Sequence, residues 1–335
     1  MTNIKDDIIQ SILSKFRFSD GASLASKASE LVIKNSNIGF SVDITGIQAE
    51  EAESIRLEVQ QKIESLEGVG KVSIVLTSNR AAAKTKDEKP KLHIDGVSKV
   101  ILVAAGKGGV GKSTISALLA HKLKADGHKV GIIDADIYGP SIPHMFGLAG
   151  KPELDGNKMI PLQNYGISVN SIGFLTAPDA SVSWRGPMTS KALYQLLSLT
   201  QWGDLDYLII DTPPGTGDIH LSLLQNYIID QVVMVTTPQE ISKLDVSRAI
   251  NLYKKFNIPI AGIIENMSYY LDPETNKKIK PFSGNSGQEL SETYDIPMLA
   301  QVPINAGLSE ACDKGGTLDS YLELLNINDK KLGFK

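Results

Sequence analysis

The run Gly106-Lys107-Gly108-Gly109-Val110-Gly111-Lys112-Ser113-Thr114 fits the pattern G-x-x-x-x-G-K-[ST]. Glycines let a backbone wrap closely, so that successive N–H groups and the positive end of a following helix face one polyanion. Lys112 is then placed to reach the β- and γ-phosphates of ATP, and the Ser113 hydroxyl to ligate Mg²⁺. A glycine-rich turn with no ligand is the bland alternative. It is disfavoured because the loop stands after one apolar run and before one amphipathic run, where the mechanism needs it.

Two carboxylate positions extend this chemistry. Asp211 closes the apolar run Tyr207-Leu-Ile-Ile210 and opens Thr212-Pro-Pro-Gly-Thr-Gly217, the place where a Walker B aspartate holds Mg²⁺ through its waters. Asp134 and Asp136 follow the run from Val130 to Ile133. Alternation along an extended chain predicts that both point the same way, toward the metal or the attacking water. Ser113, Asp134 and Asp211 are the expected Mg²⁺ set, and Asp136 the expected catalytic group. An isolated Asp-x-Asp at a strand end is also a turn signal; the glycine loop upstream favours the functional reading.

These residues need a scaffold that brings separate chain segments to one edge. From Lys99 onward the sequence supplies short runs rich in apolar and β-branched residues, among them Val100 to Ala105, Val130 to Ile133, Tyr207 to Ile210, Val232 to Val235, Ile260 to Ile264 and Met298 to Val302. Such runs read as strands buried on both faces. Most of the segments between them are long enough for crossover helices, Ser113 to Ala125 with Gly127 beyond it being one. The expected fold is α/β, a P-loop NTPase with a mainly parallel sheet covered by helices and ligands at the carboxyl ends of the strands.

A small α/β domain precedes it over residues 1–78. Ile8, Ile9, Ile12, Leu13 and Phe16 recur at helical spacing, Phe40 to Ile44 alternates as a strand, Glu50 to Leu66 carries Ile55, Val59, Ile63 and Leu66 on one face, and Val72 to Leu76 is a second strand. Residues 79–96, rich in Ala, Lys, Asp, Glu and Pro, have linker composition, and 97–335 form the ATPase domain. With 42% hydrophobic residues, 21% charged and a net charge of −4, the composition does not favour a broad basic surface, and no nucleic-acid partner is expected. No apolar stretch approaches the roughly 18 residues of a membrane helix, and the first residues lack an apolar signal core, so no membrane is expected and the location is cytoplasmic. The sole cysteine, Cys312, reads as a small buried packing residue, and none of the five histidines pairs at metal-ligand spacing. His220, just after Asp218, reads as a surface residue of a switch region.

Lys107 gives the loop a second lysine, and Lys-Gly-Gly-Val-Gly-Lys-Ser-Thr resembles the deviant Walker A loop of the ParA/MinD/nitrogenase-reductase ATPases. That resemblance implies a homodimer closed around ATP, with Lys107 reaching the partner's phosphates. Further stretches, Asp134-Ala-Asp-Ile-Tyr-Gly-Pro-Ser141, Trp184-Arg-Gly-Pro-Met188, Asp211-Thr-Pro-Pro-Gly-Thr-Gly-Asp218, Thr236-Thr-Pro-Gln-Glu240 and Glu265-Asn-Met-Ser-Tyr269, are similar to the Mrp/ApbC family of iron–sulfur cluster carriers. Membership implies slow ATP hydrolysis coupled to delivery of clusters to apo iron–sulfur acceptor proteins, and adenine held by Asn266 and the neighbourhood of Pro303.

The chain departs from that family at one point. Many members place Cys-x-x-Cys a few residues after Asn-Met-Ser-Tyr, so that a dimer offers four thiolates, whereas this chain reads Tyr269-Tyr-Leu-Asp-Pro-Glu-Thr-Asn276 there. A nucleotide-switched scaffold without its own cluster and a ParA/MinD-like spatial-positioning switch therefore stand beside the carrier reading.

Overall fold

The computed structural model describes residues 2–77 apart from 30 and 35, 90–175 apart from 138, 186–325, and 327, 332 and 333. Trp184 and Arg185, and residues 79–89 of the expected linker, lie outside the described residues. The chain divides into two compact units, 1–88 and 89–335.

In the first unit, helix α1 (Thr2–Leu13), strands β1 (Val32–Lys34) and β2 (Asn37–Asp43), helix α2 (Ala49–Glu64) and strand β3 (Val72–Thr77) follow one another. β2 pairs parallel with β3, setting Phe40 opposite Ile74, and antiparallel with β1. The helical periodicity buries Ile9, Leu13, Val59 and Ile63 against Phe40, Val42 and Ile74. β1 was not foreseen, because three residues are too few to show a period.

The second unit runs β4 (Val97–Ala105), α3 (Lys112–Ala125), β5 (Val130–Asp134), β6 (Leu162–Asn164), β7 (Ile167–Ser171), α4 (Gly186–Ser198), β8 (Leu205–Asp211), α5 (Asp218–Asn226), β9 (Gln231–Thr236), α6 (Glu240–Lys255), β10 (Ile260–Glu265), α7 (Ser286–Tyr294), β11 (Met298–Gln301) and α8 (Ala306–Lys314). The sheet order is β11-β10-β9-β4-β8-β5-β7-β6, and only β6 is antiparallel to its neighbour. Alternation distributes the apolar runs over two cores. From β8, Leu208 and Ile210 join Leu193, Leu223, Val246 and Ile250 of α4, α5 and α6 on one face. Tyr207 and Ile209 join Ile115, Leu118 and Leu119 of α3 on the other. Burial on both faces explains why these strands read as unbroken apolar runs.

Residues 90–96, assigned above to the linker, are instead bonded into this unit. Leu92 N–H donates to Asn226 O at 2.7 Å, Ile228 N–H donates to Leu92 O at 3.0 Å, and Ile94 is 2% exposed. Among the described residues no helix is long and apolar enough to cross a membrane.

Candidate functional site

The phosphate loop joins the end of β4 to the start of α3, and its glycines are dictated by neighbours. A Cβ on Gly106 would lie 2.3 Å from the Asp245 carbonyl carbon and 2.4 Å from Val246 N, both backbone atoms of α6. Gly109 and Gly111 adopt φ of +79°, which disfavours any side chain. At Gly111 a Cβ would also meet Asn266 Nδ2 at 2.2 Å. That amide donates to Val110 O at 2.9 Å, so Asn266, just beyond β10, clamps the loop from outside.

Beneath the loop the expected residues converge on Asp211, the last residue of β8. Lys112 Nζ lies 2.7 Å from Asp211 Oδ1, and the Ser113 hydroxyl donates to Oδ2 at 2.7 Å. The Ser116 hydroxyl donates to Oδ1 at 2.6 Å. Asp211 has no exposure, and a carboxylate buried this deeply requires such a donor set. Thr212 fastens the following loop to β4, its hydroxyl donating to Val103 O at 2.8 Å. Ser116, at i+4 from Lys112 on α3, is the member that sequence reasoning missed; helical spacing from a known site residue would have found it.

The two aspartates at the end of β5 lie at different depths of the site. The strand ends at Asp134, and the chain then turns. Asp134 is fully buried and accepts N–H bonds from Asp136 at 3.1 Å, Ser141 at 2.8 Å and Ile142 at 3.0 Å. Burial first, then the neighbouring charge of Asp211, pushes its carboxyl up to about 7, while the N–H donors and Lys112 pull it down. Asp136 is half-buried and lines two adjoining cavities. One, of about 260 Å³, is walled by Lys107 to Thr114 with Pro214. The other, of about 570 Å³, lies against Pro213, Pro214, Gly217, Asp218 and Ile219.

A third cavity, of about 280 Å³, shares Gly111 and Thr114 with the phosphate cavity. Asn266, Met267, Pro303 and Ile304 line it with Thr114 and Cys312. The structure thus brings Asn266 and the neighbourhood of Pro303 together. Cys312 is 4% exposed, as its packing role requires, and burial pushes its thiol above the usual range against a weaker hydrogen bond from Thr114.

His220 corrects the sequence reading. It has no exposure at all, and its ring nitrogens meet Tyr253 Oη at 2.7 Å and Pro213 O at 2.9 Å. Burial, above all, lowers it to about 4, so the imidazole is neutral. A polar residue in the first turn of a helix, after Gly217-Asp218-Ile219, looks like surface; its burial rests on contacts with Tyr253 and Pro213 that lie far along the chain or in the preceding loop.

Where the resemblance would place two cysteines there is a hairpin. Tyr270 and Leu271 pair antiparallel with Ile279 and Lys278. Asp272 closes its turn by accepting from Glu274 N–H, Thr275 N–H and the Thr275 hydroxyl. Among the described residues no group of three or more His, Cys, Asp or Glu could hold a metal ion. The donor set present therefore does not fit a cluster held by this chain's own thiolates.

Residues 96–327 match the family model described as ParA: NUBPL iron-transfer P-loop NTPase. A protein of Rickettsia bellii named "Iron-sulfur cluster carrier protein" is 49% identical over 324 residues, 97% of this chain and 98% of that protein. One of Escherichia coli K12 with the same name is 42% identical over 265 residues, 78% of this chain and 71% of that protein. Among solved structures, a nucleotide-binding protein of Archaeoglobus fulgidus in complex with ADP is similar at a TM-score of 0.59 and 39% identity, covering 66% of this chain and 88% of that one. With a parallel sheet that delivers Lys112, Ser113 and Asp211 to one point beneath a glycine loop, and with these likenesses across nearly its whole length, the chain belongs to the NUBPL iron-transfer P-loop NTPase family of the ParA type.

Proposed function

We propose that this protein binds and hydrolyses ATP with Mg²⁺ as a homodimer, and that the cycle serves iron–sulfur cluster transfer to acceptor proteins. The observation that carries the reading is the convergence of Lys112, Ser113 and Asp211 beneath the glycine loop.

Each residue has a physical task. The N–H groups from Gly106 to Thr114 and the amino end of α3 bind the phosphates. Lys112 transfers part of its contact from Asp211 to the β- and γ-phosphates, and its buried position makes that charge count more than it would in water. Ser113 and Asp211 would hold Mg²⁺, with Asp134 behind them; the ion neutralises charge on the phosphate oxygens. Asp136, at the junction of the phosphate cavity and the adjoining cleft, orients the attacking water and takes up its proton. Lys107 borders the phosphate cavity, from which it serves the partner's phosphates in the closed dimer. The cavity of Asn266 and Pro303 takes adenine.

For the cargo, the buried Cys312 and the cysteine-free hairpin support a nucleotide-switched scaffold whose cluster ligands come from a partner molecule. Lys112→Ala should lower ATP turnover by about 100-fold or more. Turnover at the wild-type rate would end the ATPase reading. Anaerobic reconstitution with iron and sulfide should leave the isolated protein without a bound cluster; a stoichiometric cluster spectrum would overturn the scaffold role.

A further inference from the structure

The loop that leaves Asp211 carries Pro213 and Pro214, and therefore lacks two consecutive backbone donors. On one side it is held to β4. Thr212 N–H and its hydroxyl both donate to Val103 O, and Gly215 N–H donates to Ala105 O at 2.9 Å. On the other side the contact is His220. A carbonyl can only accept, so the proton of the neutral ring sits on Nε2 and is donated to Pro213 O. The lone pair is then on Nδ1, and Tyr253 Oη must donate to it. Two contacts thus select one tautomer of a ring with no exposure.

Tyr253 is itself fully buried in the apolar cluster of Leu223, Ala249 and Ile250. Polar groups in such a place cost free energy unless paired, and leucine and phenylalanine would fill the same volume without that cost. The arrangement also has an address. Tyr253 stands on α6, the helix whose Asp245 and Val246 backbone abuts Gly106 at the head of the phosphate loop. Pro213, on the other end of the chain of contacts, lines the cleft that Asp136 shares.

We propose that His220 is a positioning residue for hydrolysis. By gripping the Pro213 carbonyl in a single tautomer, braced by Tyr253, it fixes the Pro213 to Gly217 wall of the cleft against Asp136 and ties that wall to the helix beneath the phosphate loop. The inference rests on the ATPase reading above.

The test separates turnover from binding. Displacing one cleft wall by an ångström-scale shift predicts a kcat loss of roughly 30-fold or more for His220→Leu, with ATP affinity kept within about 3-fold. His220→Gln can donate one N–H to Pro213 O and accept from Tyr253, so it should stay within about 3-fold of wild type in kcat. Tyr253→Phe removes a single hydroxyl and preserves the core volume, which guards against a folding failure; it should lower kcat by about 3- to 10-fold. Nitrogen-15 NMR of the histidine should show the Nε2–H form in both wild type and Tyr253→Phe, with the Nδ1 resonance shifted downfield in the variant because its lone pair has lost the Tyr253 donor. Wild-type kcat in a folded His220→Leu variant, or affinity falling in step with kcat, overturns the proposal. If the wild-type protein itself shows no turnover, the ATPase reading fails instead. The positioning role then rests on hydrogen exchange: Mg-ATP should protect Asp211 to Asp218 in wild type and not in His220→Leu, and equal protection in both overturns it.

Discussion

At the scale of single residues the site is organised by one fully buried carboxylate. Asp211 is neutralised by Lys112 and hydrogen-bonded by Ser113 and Ser116. Ser116→Ala removes a donor but no charge, so unfolding free energy should drop by about 1–2 kcal/mol in chemical denaturation, with ATP binding weakened but present. His220 predicts a pH effect. Its folded pKa, about 4, lies below the unfolded value of about 6.5, because burial and, more weakly, Lys112 oppose its charge while Pro213 O favours it. The unfolded state therefore binds more protons between those values. Stability is fully present above about pH 6.5 and is lost as pH falls toward 4, by about 3 kcal/mol at the limit. Denaturation of wild type and His220→Gln across that window should show a steeper loss in wild type. Lys112, Ser113, Asp134, Asp136 and Asp211 could be picked out from spacing because their motifs stand at strand ends. The burial of His220 could not, since its partner Tyr253 stands 33 residues further along, on α6.

At the scale of elements, close backbone approach fixes how α6 and the phosphate loop meet. Gly106→Ala must push α6 away from β4 or strain the loop, because the added carbon meets backbone rather than a flexible side chain. The expected cost is about 3 kcal/mol in thermal or chemical unfolding, with a parallel loss of ATP binding. The central strands were legible as apolar runs because both their faces are covered. β7 was not. It is buried throughout, yet it carries Ser168, Asn170 and Ser171, and their polar groups are satisfied internally, as when Asn170 Nδ2 donates to Thr200 Oγ1 at 2.8 Å. Composition alone hides such a strand, and its partner β6 is too short to show a period. Their hairpin turn, Tyr165-Gly166, places both residues at positive φ as a two-residue connection of this hand requires.

At the scale of the whole molecule, the second unit begins before its first sheet strand. Leu92 exchanges two backbone bonds with the end of α5 and the residues just after it, and Ile94 is buried. A fragment starting at Pro90 should therefore be more stable than one starting at Val97, by about 3 kcal/mol for one apolar side chain and two hydrogen bonds. Equal melting temperatures for the two fragments would show that the lead-in contributes nothing. The contact between Asn266 and Val110 has a different reach, since it joins residues 156 positions apart. The glycine loop leaves the ribosome early, but the amide that closes around it is made only after most of the sheet has been synthesised. The first half of this unit is therefore synthesised without the clamp that closes its phosphate loop. A nascent protein arrested before residue 266 should emerge with the full phosphate motif and a weaker grip on ATP than the finished chain, measurable by nucleotide binding to the stalled chain.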